Sequence, residues 1–289
     1  MRKEGKYMIR QNDVRFYGFV ADKPKITMTN GTNELVRGMM HLAVIRSERF
    51  NGENNVGADR IMYDYPIILT TDPEMIAKMQ KLELYDIVEI KGSLVTRKIT
   101  KHTYCSGECG CGARNDVEGN ISFVMPLVMA KRNKEKGSYT KNQAEAEIIE
   151  NREFSNSIVI LGNLCQDVTY FHEKNIQTST YQVATDRKYV VQADSPDVTA
   201  DYPLVRSYGR QAKKDSMCIH TGSTILIDGY LHTRRPQRTT LCESCGVEYQ
   251  WADSVMEIIP FVTEYLANYT DYQTAKAEEA KKAEEAFGT

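Results

Sequence analysis

Short runs of β-branched and aromatic residues, separated by turn-forming stretches, pattern this chain over most of its length. The first half carries VRFYGFV, MMHLAVI, YPIILTT, DIVEIKGSLVTR and ISFVMPLV. The second carries NSIVILGNL, STYQVAT, YPLVRSYG, STILIDGYLHTR and SVMEIIPFV. Runs of this length and composition predict strands, five in each half. One helix-forming stretch falls between the third and fourth runs of each half: PEMIAKMQKL in the first, GRQAKKDSMCI in the second.

The halves are copies. Asp64-Tyr65-Pro66 matches Asp201-Tyr202-Pro203, and the match runs without a gap to Cys105 and Cys242. Ile90, Gly92, Leu94, Thr96 and Arg97 correspond to Ile227, Gly229, Leu231, Thr233 and Arg234. Small gaps extend it to Asn12 with Asn156, Gly18 with Gly162, and Pro126 with Pro260. A repeat of about 140 residues is the size of a whole domain, not of a solenoid unit. The pattern predicts a mainly β protein of two tandem barrels. Five strands with a helix between the third and fourth is the order of the OB-fold, a partly open barrel that binds oligonucleotides. We place the first repeat at residues 8–130 and the second at 153–268. A basic and helix-prone connector, read as solvated, occupies 131–152, and a charged helical tail, also read as solvated, occupies 269–289.

Composition narrows the function. With 37 basic and 39 acidic residues the chain is not globally cationic, so a polyanion must be held by local patches. No apolar run approaches the roughly 20 residues of a membrane span. The opening MRKEGKYMIRQND lacks the apolar core of a secretory signal, which points to the cytoplasm, where disulfides are rare. No catalytic motif stands out, and no cysteine has an evident base partner, so an enzyme is not expected.

What remains is cations interleaved with aromatics, and cysteines. Arg187, Lys188, Arg206, Arg210, Arg234, Arg235 and Arg238 can neutralise phosphates, while Tyr189, Tyr202, Tyr208 and Trp251 offer flat faces for unstacked bases. That combination suits sequence-tolerant single-strand binding. Alternation places Arg206 and Tyr208 on one face of a strand. In the first repeat Phe50, Tyr65, Arg97 and Lys98 are the corresponding candidates, but TTDPE replaces YGRQA, which removes an aromatic and an arginine.

GNL at 162–164, VAT at 183–185, DYPLV at 201–205, YGRQA at 208–212, GSTILIDGYLHTRR at 222–235 and EIIPF at 257–261 give a specific likeness. In order and spacing the second repeat resembles the bacterial and phage-type single-stranded-DNA-binding proteins. The resemblance implies base stacking by Tyr189, Tyr202 and Tyr208. It implies a homodimer, because common members bring four OB domains together. It also implies work in replication, recombination or mobile-element transfer, alongside proteins of those processes. The family's frequent tryptophan after the Thr-Arg pair is replaced here by Pro236 or Gln237, and its acidic tail ending in Pro-Phe is absent. An interaction scaffold of a replication complex and a single-stranded RNA binder are the alternatives.

Five of seven cysteines fall in two clusters at the same place in both repeats, in the loop between strands four and five: CSGECGCG from Cys105, and CESCG from Cys242. Closely spaced thiolates on glycine-containing turns form half a tetrahedral zinc site. The first cluster could complete a structural zinc site alone, with His102, Cys105, Cys109 and Cys111. Alternatively both loops could share one site that includes Cys242 and Cys245. Cys165 and Cys218 read as core or half-buried residues.

Overall fold

The computed structural model describes residues 10–28, 35–46, 61–108, 110–134, 136–191 and 198–287. Phe50 and Cys109 lie outside the described residues. The first repeat contributes β1 (Asn12–Val20), β2 (Lys25–Met28), β3 (Leu35–Ile45), β4 (Tyr63–Asp64) and β5 (Ile67–Thr70). Helix α1 (Pro73–Met79) and the long strands β6 (Ile87–Tyr104) and β7 (Arg114–Lys131) follow. After α2 (Lys141–Glu150) come β8 (Asn156–Leu164), β9 (Thr169–Glu173), β10 (Ile176–Asp186), β11 (Ala200–Asp201) and β12 (Leu204–Tyr208). The chain ends with α3 (Gly209–Cys218), β13 (Ile219–Arg234), β14 (Gln237–Leu241), β15 (Glu248–Ala252), β16 (Val255–Tyr269) and α4 (Tyr272–Phe287).

Each repeat closes on itself. β1 pairs with β3 and β6, β3 with β5, β5 in parallel with β7, and β7 with β6. In the second repeat β8, β10, β12, β16 and β13 pair in the same cycle. These are the two five-stranded OB barrels that the pattern predicts, each with its helix between the third and fourth barrel strands. Closure is tight at Gly18 and Gly162, where a Cβ would collide with the carbonyl oxygens of Ala43 and Ala184. Alternating residues fill the interiors: Val14, Phe16, Leu42, Ile90 and Val124 in one, Ile158, Tyr181, Val205, Ile227 and Ile258 in the other. Met75 and Met79 of α1 join the same apolar core.

The repeats join strand to strand. β1 and β8 run antiparallel with Val14 opposite Ile158, its own counterpart in the duplication, so a pseudo-twofold axis passes between them. Contacts within each repeat and between the repeats obey that symmetry. Asn12 donates to Leu94 O (2.8 Å) and accepts from Leu94 N (2.9 Å). Asn156 does the same to Leu231, at 2.8 and 3.0 Å. Buried Asp64 of the first repeat accepts from Thr233 N (2.9 Å) of the second. Buried Asp201 of the second accepts from Thr96 N (2.8 Å) of the first.

Three parts depart from the sequence reading. The connector is not solvated: Tyr139, Ala144 and Ile148 pack on Phe19, Ala43, Ile45 and Ile87. A capping box between Thr140 and Gln143 starts α2, and Glu147 accepts from Tyr17 (2.9 Å) and Tyr139 (2.8 Å). The buried face of α2 is Ala144, Glu147 and Ile148, and a glutamate among the three keeps it from registering as an apolar face. The tail helix is anchored rather than free, with Ala275 buried and Glu279 paired to Lys213 of α3 (3.3 Å). Cys165 is exposed, whereas Cys218 is buried.

Candidate nucleic-acid interface and cysteine cluster

Strand β12 builds the candidate interface by alternation. Val205 and Ser207 turn into the barrel, so Leu204, Arg206 and Tyr208 turn outward, and Tyr202 precedes them at the same parity. Tyr202 and Tyr208 are each 49% exposed. Tyr202 is fixed through its backbone, which donates to Thr96 Oγ1 (2.7 Å) and accepts from Gln182 Nε2 (2.9 Å). Arg206 and Arg234 both reach the buried carboxylate of Glu257, at 3.2 and 3.1 Å. Two guanidinium groups on one carboxylate leave a net positive charge beside the tyrosines.

Tyr208 shares that field. Burial, then Glu257, raises its hydroxyl pKa, against the opposing pull of Arg206, Arg234 and Arg46. Burial likewise pushes Tyr230 up to about 12, with Asp64 adding to the rise. Arg46 and Tyr230 thus border the same patch. Tyr230 carries no distinguishing mark in the sequence, because an aromatic in an alternating strand is ordinary.

The other candidate residues divide by position. Arg210, Arg235 and Lys98 are exposed. Lys188 stands 5.6 Å over the Tyr189 ring, and Asp13 lies 3.6 Å from its ammonium. Arg187 is placed in the junction and not on the outer surface: its side chain is 7% exposed and bidentate to Asp201 (2.9 and 2.8 Å). Arg97 lies over the Phe123 ring at 5.5 Å. Trp251 is half-buried and donates from Nε1 to Thr240 Oγ1 (2.9 Å).

In the first repeat the equivalent row reads Tyr65, Ile67, Leu69 and Thr71. Tyr65 remains exposed, but Leu69 packs with Val95, Phe123 and Val191, and Val191 comes from the second repeat. Apolar packing therefore covers the surface that Arg206 and Tyr208 leave open in the other copy.

The cysteines converge. Cys105 and Cys111 of the first repeat meet Cys242 and Cys245 of the second, with all four Sγ atoms within 4.8 Å of one another. Cys111 Sγ lies 3.8 Å from Cys242 Sγ and 3.6 Å from Cys245 Sγ, and Cys105 Sγ lies 3.9 Å from Cys245 Sγ. Four thiolates at about 2.3 Å from a tetrahedral ion are separated by about 3.8 Å, so the donor set fits a thiophilic metal. Left-handed Gly110, Gly112 and Gly246 make the turns that bring them in. At Cys242 burial works to raise the thiol pKa, but hydrogen bonds from the N–H groups of Cys245 and Ser244 and from Asn115 hold it down at about 6. Asn115 also accepts from Glu243 N (2.9 Å), tying one loop to the other. His102 is not brought into the cluster; its Nδ1 lies 2.7 Å from Asp116.

Two joined OB barrels, one with an aromatic and basic row on its outer face, define the architecture of this chain. The comparisons agree. The family model described as "Single-strand binding protein family" matches residues 155–244, which lie within the second repeat. A curated relative, the single-stranded DNA-binding protein of Staphylococcus epidermidis (strain ATCC 12228 / FDA PCI 1200), is 26% identical over 83 residues. The match spans 29% of this chain and 62% of that relative. Among solved structures, the wild-type single-stranded DNA binding protein from Thermus aquaticus superposes with a TM-score of 0.54 at 14% identity. The superposition covers 91% of this chain and 97% of that one. A deletion mutant of the same Thermus protein matches with a TM-score of 0.54 at 13% identity, over 91% and 98% of the two chains. At these identities the structural likeness establishes the fold.

Proposed function

We propose that this chain binds and protects single-stranded DNA without strong sequence preference, chiefly through its second repeat, in replication, recombination or mobile-element transfer. The carrying observation is the outward row Tyr202, Leu204, Arg206 and Tyr208, its two tyrosines half exposed beside a net positive charge, where the first repeat buries Leu69 at the position of Arg206. Exposed rings take unstacked bases, and the guanidinium groups take the backbone between them. Bases paired inside a duplex have no free faces for these rings, so discrimination against duplex follows from the same geometry. The assembly that suits this reading is a homodimer, bringing four barrels together. Zinc is the ion we assign to the four cysteines. It would hold the ends of the two hairpins, β6–β7 and β14–β15, together and so fix one edge of the binding surface, with no part in chemistry.

Replacing Tyr202 and Tyr208 together by Ala tests the assignment. Each lost stack should weaken oligo-dT binding by about 1–3 kcal/mol. Tyr65→Ala should cost clearly less. If Tyr65→Ala were the more damaging change, the roles given to the two repeats would be wrong.

A further inference from the structure

A pocket of about 390 Å³ opens between the β6–β7 hairpin of the first repeat and the β14–β15 hairpin of the second. Lys101 and Glu118 border it from one side, Arg238, Trp251 and Asp253 from the other, and Tyr202 projects into its lining from the β12 row. Its size falls at the lower end of small-ligand sites. We propose that this pocket, formed only where the two repeats meet, captures one unpaired base of the bound strand. The proposal rests on the single-strand reading above and names where a base goes.

Charge decides between a base and a phosphate. Lys101 and Arg238 are both engaged by Asp253, and Glu118 adds a second carboxylate. Two cations against two carboxylates leave the pocket no surplus positive charge. A phosphate therefore gains little inside it, whereas an uncharged ring with polar edges finds aromatic faces and hydrogen-bonding groups together. The backbone would stay outside, near exposed Arg235 and the outer part of Arg238, which is 54% exposed.

Neighbouring groups hold the wall in place. Trp251 is oriented by its hydrogen bond to Thr240, and Lys101 Nζ stands 6.0 Å from its ring centroid. Behind it pack Cys105, Cys242 and Tyr249. Tyr202, nearly half exposed, supplies the second ring. Because the first repeat carries Val117 and Gly119 where the duplication would place Trp251 and Asp253, the aromatic wall belongs to one copy alone.

Trp251 is the chain's one tryptophan, so its emission reports on this pocket directly. The experiment titrates the full chain with labelled oligo-dT. Anisotropy of the label follows binding, tryptophan emission follows the pocket, and photo-crosslinking of a bromouracil-substituted oligonucleotide maps the contact. We expect quenching that saturates together with anisotropy, and crosslinks to Tyr202 or Trp251. Trp251→Ala should weaken binding about five- to 140-fold, the range of one lost stack, while Trp251→Phe keeps the packing and most of the affinity. Binding by anisotropy with unchanged emission and crosslinks only elsewhere would overturn the pocket and leave the single-strand reading intact. Absence of oligo-dT binding in anisotropy would overturn the reading itself.

Discussion

Asp64→Ala tests the junction between the repeats. The carboxylate is fully buried and accepts from Thr233 N (2.9 Å), His232 Nδ1 (2.8 Å) and both Nε and a terminal nitrogen of Arg46 (3.2 Å each). Removing it strands the Thr233 N–H and leaves two cationic or polar side chains without their acceptor. Breaking a buried charged pair from one side costs about 3–5 kcal/mol. Arg46 is a quarter exposed and can turn to water, which argues for the lower end, about 3 kcal/mol. At about 2 °C per kcal/mol for a chain of this size, the melting temperature should fall about 6 °C. Asp64→Asn keeps an oxygen for Thr233 N but offers an N–H₂ to groups that are themselves donors, so it should lose roughly half as much. The assay is urea and thermal unfolding followed by circular dichroism. The pH dependence has a definite sign. Burial raises the Asp64 carboxyl pKa, but hydrogen bonds from His232, Arg46 and Thr233 outweigh it and bring the group below its ordinary 3.8. A carboxyl lowered in the folded state stabilises above its unfolded pKa, and that gain is lost as pH falls through the folded value. The gap between wild type and Asp64→Ala should hold steady above about pH 5 and narrow only below about pH 4. A variant within about 0.5 kcal/mol of wild type, the range of an ordinary surface change, would refute the reasoning.

Asn156→Ala should lower stability by about 2–3 kcal/mol, since it strands both backbone groups of Leu231 in a buried setting; a shift in urea midpoint at constant slope measures it. The cysteine cluster predicts one zinc per chain in protein purified without chelator, and loss of that zinc in Cys242→Ser. Retention of zinc by that variant would show that the first repeat holds its metal alone.

Much of this molecule can be read from its residues. The alternation of VRFYGFV and NSIVILGNL marks barrel strands because one face is buried and the other is not. The duplication announces the two barrels. Convergence of the cysteines is one of two arrangements that the sequence leaves open, because spacing alone cannot choose between a first-repeat site with His102 and one in which Cys105 and Cys111 meet Cys242 and Cys245 across the junction. The fate of Arg187 could not be read: a basic residue beside Lys188 and Tyr189 looks like a phosphate contact until Asp201 is found against it in the fold. The closure of the first repeat's groove was half visible, in the loss of YGRQA. Its filling by Leu69, Phe123 and Val191 depends on a segment arriving from the other repeat.

The central claim is tested most directly by equilibrium titration of the wild-type chain with labelled oligo-dT, with duplex DNA of the same length as competitor, at two salt concentrations. The geometry predicts that oligo-dT binds and duplex competes poorly. It also predicts that log K falls with log salt at about −0.7 for each phosphate neutralised, with several neutralised. Duplex bound as tightly as oligo-dT, or an affinity that ignores salt, would contradict an interface built from exposed rings and surplus guanidinium charge.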